Sequence, residues 1–349
     1  MTTTDGTVLG TTKIVNNGPP STHWNIVILG DGYQTGQMTQ YATDAQGVCE
    51  AIFATPPFGS RRWVMNVYRV DVRSTDSGAD DPTACGGSGA TARTYFDASF
   101  CNNGIRRLLV ANTSTALAVA GAQVPQWNVI LLIVNSTIYG GSGGTVAVFS
   151  MAPNAQEIAL HELGHSAFRL ADEYDYYQGC GVDTDRDNHP SMEPAEANVT
   201  VNSNPATIKW RNLIATSTSV PTMTNPDCTQ CDRRPSPVPD GTVGAFEGAH
   251  YYHCRAFRPE YRCKMFELGR PFCAVCRRRI LQVLPTEVPD VRELGASVAA
   301  NRILGAGLKP IFTGSTGPGA WVWHQSPRGG AVVASGSTVT LQLRTGPRP

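Results

Sequence analysis

The sequence predicts an α/β fold with a smaller α+β unit at its C-terminal end, on three observations. Two apolar runs, NIVILGDGY from Asn25 and WNVILLIVN over 127–135, are continuous rather than alternating, the pattern of strands buried on both faces of a largely parallel sheet. Segments with helical spacing separate such runs, as crossover connections between parallel strands require. After Pro285 the composition turns to Gly, Ser, Val and Thr, which places a boundary at Pro285 to Pro289 and divides the chain into 1–285 and 286–349.

Residues 1–22 read as an N-terminal extension whose form (hairpin, linker or remnant of a pro-segment) the pattern leaves open. The strand from Asn25 ends in a Gly-rich turn, and apolar residues at helical spacing predict a helix from about Gln37 to Ala54. WVMNVYRVDV, 63–72, alternates and is β-branched, so it is a third strand, with 127–135 the fourth. TVAVFS, 145–150, is a shorter strand after the Gly-rich stretch 140–144, and it is expected to form a sheet edge. APNAQEIALHELGHSAFRL then reads as a helix. Residues 175–245 are rich in Asp, Asn, Pro, Ser and Thr and are expected to be long loops with a short element near Ile208 to Leu213. CAVCRRRILQVL, 273–284, is a helix that stops before Pro285, and the basic run 277–279 is its wet face.

The 349 residues carry 28 Lys and Arg against 28 Asp and Glu, so no net basic field exists to hold a nucleic acid. No apolar run approaches the ~18–20 residues of a membrane span. The first twenty residues show no basic and then apolar leader pattern, yet ten cysteines favour an oxidising compartment, so the expected location is secreted or at the cell envelope.

His161, Glu162, Leu163, Gly164 and His165 spell H-E-x-x-H inside a predicted helix. The four-residue spacing stacks both imidazoles on one face, where they can clamp a zinc ion, and Glu162 lies beside the open coordination position, where it can take a proton from activated water. A third protein ligand is required, and Asp172, Glu173 and Asp175 in LADEYDYY are the nearest candidates. On a continuous helix Asp172 would lie roughly 10 Å along the axis from His165, at ~1.5 Å per residue, and out of reach. If Asp172 is the ligand, the helix must break near Phe168 to Leu170 and the chain must fold back.

HELGHSAFRLADEYD resembles the signature of the M64 zinc peptidases, the IgA-peptidase-like family, and NIVILGDGY, MNVYRVDV, RTYFDASFC, VGAFEGAHYY, FRPEYRCKM and PFCAVC resemble its other blocks in the same order. The resemblance covers roughly 24–280 and implies a metzincin-like zincin domain with a mixed twisted sheet and an HExxH helix. It implies one catalytic zinc held by His161, His165 and Asp172, with Glu173 as the alternative third ligand, Glu162 as general base, and Met265 as the methionine beneath the metal. Two residues past Met265, where some relatives carry a zinc-side Tyr, this chain holds Glu267, so Tyr251 and Tyr252 are the candidate oxyanion donors.

Cys228-x-x-Cys231 and Cys273-x-x-Cys276 admit a four-cysteine structural zinc site, although the gap between the two pairs is long; the alternative is disulfides, with Cys85 to Cys101 the most local pairing. Asp183, Asp185 and Asp187 echo the start of a Ca2+ loop, but the twelfth position is Pro194 and the usual Gly is missing, so a solvated acidic turn competes.

From Val288 the pattern V-P-D-V, a helical SVAANRILGAGL, WVWHQSPRGG and VVASGSTVTLQL resembles a PASTA module, which implies a small bacterial cell-envelope domain that binds peptidoglycan or acts as a spacer. The sequence thus predicts a zinc metalloendopeptidase acting on a protein or peptide substrate. The alternatives are a silent cell-wall-binding protein on a zincin scaffold and a hydrolase of peptidoglycan crosslinks.

Overall fold

The computed structural model describes residues 5–181 and 183–347. Its first unit is built on a six-stranded mixed sheet. The elements in chain order are β1 (Gly6–Val15), β2 (Trp24–Asp31), α1 (Met38–Ala54), β3 (Met65–Ser74), α2 (Thr113–Gln123), β4 (Val129–Val134), β5 (Gly141–Ser142), β6 (Val146–Ser150), α3 (Ala155–Phe168), β7 (Phe246–Ala249), β8 (Tyr252–Arg258) and α4 (Ala274–Val283). The sheet order is β1-β3-β2-β4-β6-β5, with β3, β2, β4 and β6 parallel and the outer strands β1 and β5 antiparallel.

The continuous apolar runs are explained by what lies on each face. Ile26, Ile28, Leu131 and Ile133 point into a core shared with α1, α3 and α4, while Val27, Leu29, Ile130, Leu132 and Val134 point into a second core shared with α2. Alternate residues therefore serve opposite layers, and no position in β2 or β4 is left for a solvated side chain. β2 ends on Asp31, whose buried carboxylate accepts from the N–H groups of Phe96 and Ala98 and the hydroxyls of Thr94 and Ser74. The Gly-Asp-Gly turn thus ties the loop 94–98 to the sheet and is structural.

Two expectations are corrected and one open question is answered. The strand expected over 63–72 begins at Met65, because Trp63 and Val64 close a 3-10 turn and Trp63 is exposed. Within 1–22, residues 6–15 form β1, an edge strand on β3. The strand 146–150 is not a free edge: β5 pairs with Val148 and Phe149, and residues 107–109 in turn bond to Gly141.

The second unit comprises β9 (Thr286–Glu287), α5 (Ala296–Gly305), β10 (Lys309–Gly314), β11 (Trp321–Ser326), β12 (Val332–Val333) and β13 (Thr338–Arg344). A three-stranded sheet, β10-β13-β11, and the pair β12-β9 enclose with α5 a separate core of Val288, Val291, Ala299, Ile303, Val322 and Leu341. β10 keeps almost no side chain buried, so hydrophobic patterning does not reveal it.

Candidate metal centre and cleft

α3 follows β6 after a short turn and is buried through most of its length, with Ile158, Ala159, Leu160 and Leu163 in the sheet-side core. That burial fixes the rotation of the helix and presents His161, Glu162 and His165 to a cleft of about 810 Å3. α3 stops at Phe168. Arg169 takes a left-handed conformation, its N–H donates to the His165 carbonyl, and the Leu170 N–H donates to the Gly164 carbonyl. The chain then doubles back and brings Asp172 beside both histidines.

The three side chains converge on one point. His161 Nε2 and His165 Nε2 are 3.1 Å apart, and Asp172 Oδ1 lies 3.0 and 3.2 Å from them. Each Nδ1 faces a carbonyl oxygen, Lys264 O at 3.0 Å and Leu170 O at 2.7 Å, which can only accept; both imidazoles therefore carry the hydrogen on Nδ1 and turn a lone pair inward from Nε2. Asp172 Oδ1 is buried with no hydrogen-bond donor. Two lone pairs and a carboxylate oxygen at these separations repel unless a cation lies between them, and tetrahedral zinc with ligands at ~2.0–2.1 Å gives edges of roughly 3.3 Å. The donor set fits that ion. Electrostatics agree: burial lowers the proton affinity of both imidazoles, but the Asp172 carboxylate more than offsets it and holds each above its ordinary value, so the site favours positive charge.

Asp172 is itself fixed from two sides. Its backbone carbonyl accepts from the His250 N–H, and Oδ2 accepts from the Tyr251 hydroxyl. His250 and Tyr251 are the two turn residues between β7 and β8 and both have positive φ, as the tight hairpin requires, although neither is a Gly or Asn. The Tyr251 N–H also donates to the Tyr174 carbonyl, so the strained turn is docked onto 172–174. Burial and then the Asp172 charge push the phenol of Tyr251 well above its usual range, which keeps it a donor. Tyr251→Phe is expected to keep the fold and weaken metal binding about 10–100-fold, the usual cost of losing a hydrogen bond that orients a ligand. A competition titration against a chelator reads it, and unchanged affinity would mean that this bond does not orient Asp172.

Met265 is fully buried and packs against α3 at Gly164. Its Sδ sits 2.7 Å from where a Cβ on residue 164 would stand, so only Gly lets α3 lie on it. On the other side, Glu162 is 8% exposed and its Oε1 lies 2.8 Å from the position of a Cβ on Gly141, which explains the Gly-rich stretch before β6. Burial pushes the Glu162 carboxyl up from its ordinary value.

The remaining sequence candidates separate. Glu173 is buried and turned away from the histidines toward Cys273 and Cys276. Asp175 is also buried and lies near Arg233. Tyr252 lies outside the cleft, where its hydroxyl accepts from Arg186 at 2.9 Å. The four-cysteine reading is corrected because its two halves never meet: Cys231 is bonded to Cys180 and Cys228 to Cys254, while Cys85 pairs with Cys101 as expected. The Ca2+ reading is corrected as well. Asp183 is buried and accepts from the N–H groups of Tyr177, Gln178 and Gly179, while Asp185 and Asp187 pair separately toward Arg186 and His253.

The cleft also contains groups that the sequence reading passed over. Arg107 and Tyr139 line it, and Tyr174, Tyr176 and Tyr177 form an aromatic wall. Arg107 donates to the Tyr177 carbonyl at 3.0 Å and its charge is felt at Glu162. The three tyrosines stand in LADEYDYY, whose carboxylates alone carry a metal-ligand signal; Arg107 and Tyr139 have no motif to mark them.

The profile of the IgA Peptidase M64 family matches residues 12–238 and 234–284, and that of the PASTA domain matches 286–345. No curated protein matches the chain.

Proposed function

The chain belongs to the IgA Peptidase M64 family and ends in a PASTA domain, and from that premise we propose that it is a zinc metalloendopeptidase in which His161, His165 and Asp172 hold the metal and Glu162 is the general base. The observation that carries the proposal is the convergence of two imidazole lone pairs and one donor-free carboxylate oxygen in a cleft that also holds Glu162. Zinc bound there supplies Lewis acidity toward a peptide carbonyl and makes water a nucleophile near neutral pH.

The chain supplies the rest. Glu162 accepts a proton from the attacking water as its oxygen bonds to the carbonyl carbon, then delivers that proton to the amine nitrogen as the C–N bond breaks. Arg107 and Tyr139 line the cleft with Glu162 and are the donors offered to the developing oxyanion, in place of Tyr252. Tyr251 is committed to Asp172 and acts by positioning it. The aromatic wall of Tyr174, Tyr176 and Tyr177 suits apolar or aromatic substrate side chains. Gly143 is the rim position offered to a substrate main chain, in place of the expected edge at 145–150, since the Gly141 N–H and carbonyl are already bonded to Arg107 and Leu109. Three disulfides and the PASTA domain support action outside the cytoplasm, with the PASTA domain binding peptidoglycan.

The test is mass-spectrometric profiling of a proteome-derived peptide library incubated with the zinc-loaded chain, with and without a chelator. Internal cleavages that vanish with chelator and return with zinc are the expected result. A folded, zinc-loaded sample that cuts muropeptides and no peptide in the library would replace the proposal with the crosslink-hydrolase reading.

A further inference from the structure

Behind the catalytic centre lies a second cluster of potential metal ligands that the proposed reaction does not use. Cys263, Cys273 and Cys276 are fully buried and none is in a disulfide, and their sulfurs and a carboxylate oxygen of Glu173 all lie within 4.8 Å of one another. Cys263 Sγ and Cys276 Sγ are 3.8 Å apart, and Glu173 Oε1 lies 3.4 Å from Cys276 Sγ and 3.8 Å from Cys273 Sγ. Tetrahedral zinc with sulfur at ~2.3 Å and oxygen at ~2.0–2.2 Å has S–S edges of roughly 3.8 Å and S–O edges of roughly 3.6 Å.

The surroundings ask for a cation. Glu173 is buried with Oε2 lacking any partner, and Oε1 is met by the Asn198 amide at 2.9 Å. Among the described residues no Lys or Arg forms an ion pair with it, and a buried carboxylate left in that state is costly. The Cys273 N–H points at Cys263 Sγ at 3.2 Å and the Cys276 N–H at Cys273 Sγ at 3.4 Å, an arrangement that stabilises thiolates at the start of α4. Six of the remaining seven cysteines are in disulfides, and three sulfurs around one carboxylate cannot all be satisfied by a further one.

We propose that Glu173, Cys263, Cys273 and Cys276 form a second, structural zinc site. Binding transfers the three thiol protons to solvent and moves no electrons. The place of the site in the chain gives it a purpose. Asp172 and Glu173 are consecutive and turn in opposite directions, one to each centre. Cys263 stands one residue before Lys264, whose carbonyl holds His161, and two before Met265, whose carbonyl accepts from the Glu173 N–H at 2.8 Å. A metal at the second centre therefore ties the segment carrying the third catalytic ligand to the segment that holds His161.

The proposal is tested on the full, never-reduced chain. Wild type is expected to hold two zinc equivalents by elemental analysis, and His161→Ala/His165→Ala to hold one. After cobalt replaces zinc in that double variant, thiolate-to-cobalt charge-transfer absorption should persist, and Cys276→Ser should remove it. Denatured, chelator-treated wild type should present four reactive thiols, those of Cys49 and the three cluster cysteines. Two thiols in place of four, or a double variant that folds without metal and without the charge-transfer band, would overturn the second site. Should Cys276→Ser fail to fold, the double-histidine variant decides, since its thiol cluster is intact. A double variant that still held two equivalents would remove the proposed catalytic ligands and leave the thiolate site standing.

Discussion

Glu162→Gln is expected to lower peptide hydrolysis by orders of magnitude while leaving metal content and fold unchanged. Gln has nearly the same volume and shape, so it can occupy the tight place against Gly141 without disturbing α3, and Glu162 is not among the three groups that converge on the metal position. What the amide cannot do is accept a proton. General-base catalysis contributes roughly 10^2–10^4 in rate, and that is the expected fall in kcat, with kcat/KM falling by the same factor because the lost interaction forms only in the transition state. Steady-state kinetics on a peptide taken from the library profile, paired with zinc analysis of the same preparation, reads both sides. Activity within tenfold of wild type at full zinc occupancy would take the base role from Glu162. A parallel loss of zinc would show that the residue supports the metal centre itself.

How much of this was legible in the sequence depended on whether a property repeats along the chain. β2 and β4 are readable because burial on both faces leaves an unbroken apolar run, and α3 because two histidines four residues apart have one sensible arrangement. The helix break at Phe168 followed once Asp172 was taken as the third ligand, a choice the family resemblance implied, since a rigid rise per residue would carry it out of reach. Spacing failed where partners come from far apart. Cys-x-x-Cys pairs at 228 and 273 look alike, but only the fold decides that the first joins two different disulfides while the second meets Cys263 and Glu173. Arg107 and Tyr139 reach the cleft from separate connections and carry no pattern. β5, two residues long, is shorter than any periodicity, and its absence from the sequence reading is what made 145–150 look like a free edge.

Asp172→Asn is expected to cost the catalytic centre its metal while sparing the fold. The substitution keeps shape, the backbone bond from His250 and an oxygen for the Tyr251 hydroxyl, so the turn between β7 and β8 stays docked. It removes the single negative charge at the point where Asp172 Oδ1 meets the two imidazoles. It also does something more specific. With Oδ1 replaced by an NH2 group, the amide can donate to the inward lone pairs of His161 and His165, so the arrangement that repels itself without a cation becomes satisfied by hydrogen bonds. Metal must then displace those bonds and find one anionic ligand fewer. Affinity at this centre should fall by more than the roughly 100-fold upper range seen when only an orienting partner is lost. One zinc equivalent should disappear from the purified protein and hydrolysis with it. Zinc at 100 times its Kd stabilises a folded chain by about 2.7 kcal/mol, so wild type stripped at this centre should gain thermal stability on zinc addition and the variant should gain none from it. A variant that kept tight zinc and activity would require another carboxylate in the third position. Among the described residues, Glu173 is turned to the thiol cluster and Asp175 toward Arg233, which leaves Glu162 and Glu267 as the other acidic side chains lining the cleft; Glu267 is already paired with Arg262 and Arg270, and a metal ligated by Glu162 would no longer have it free as the base.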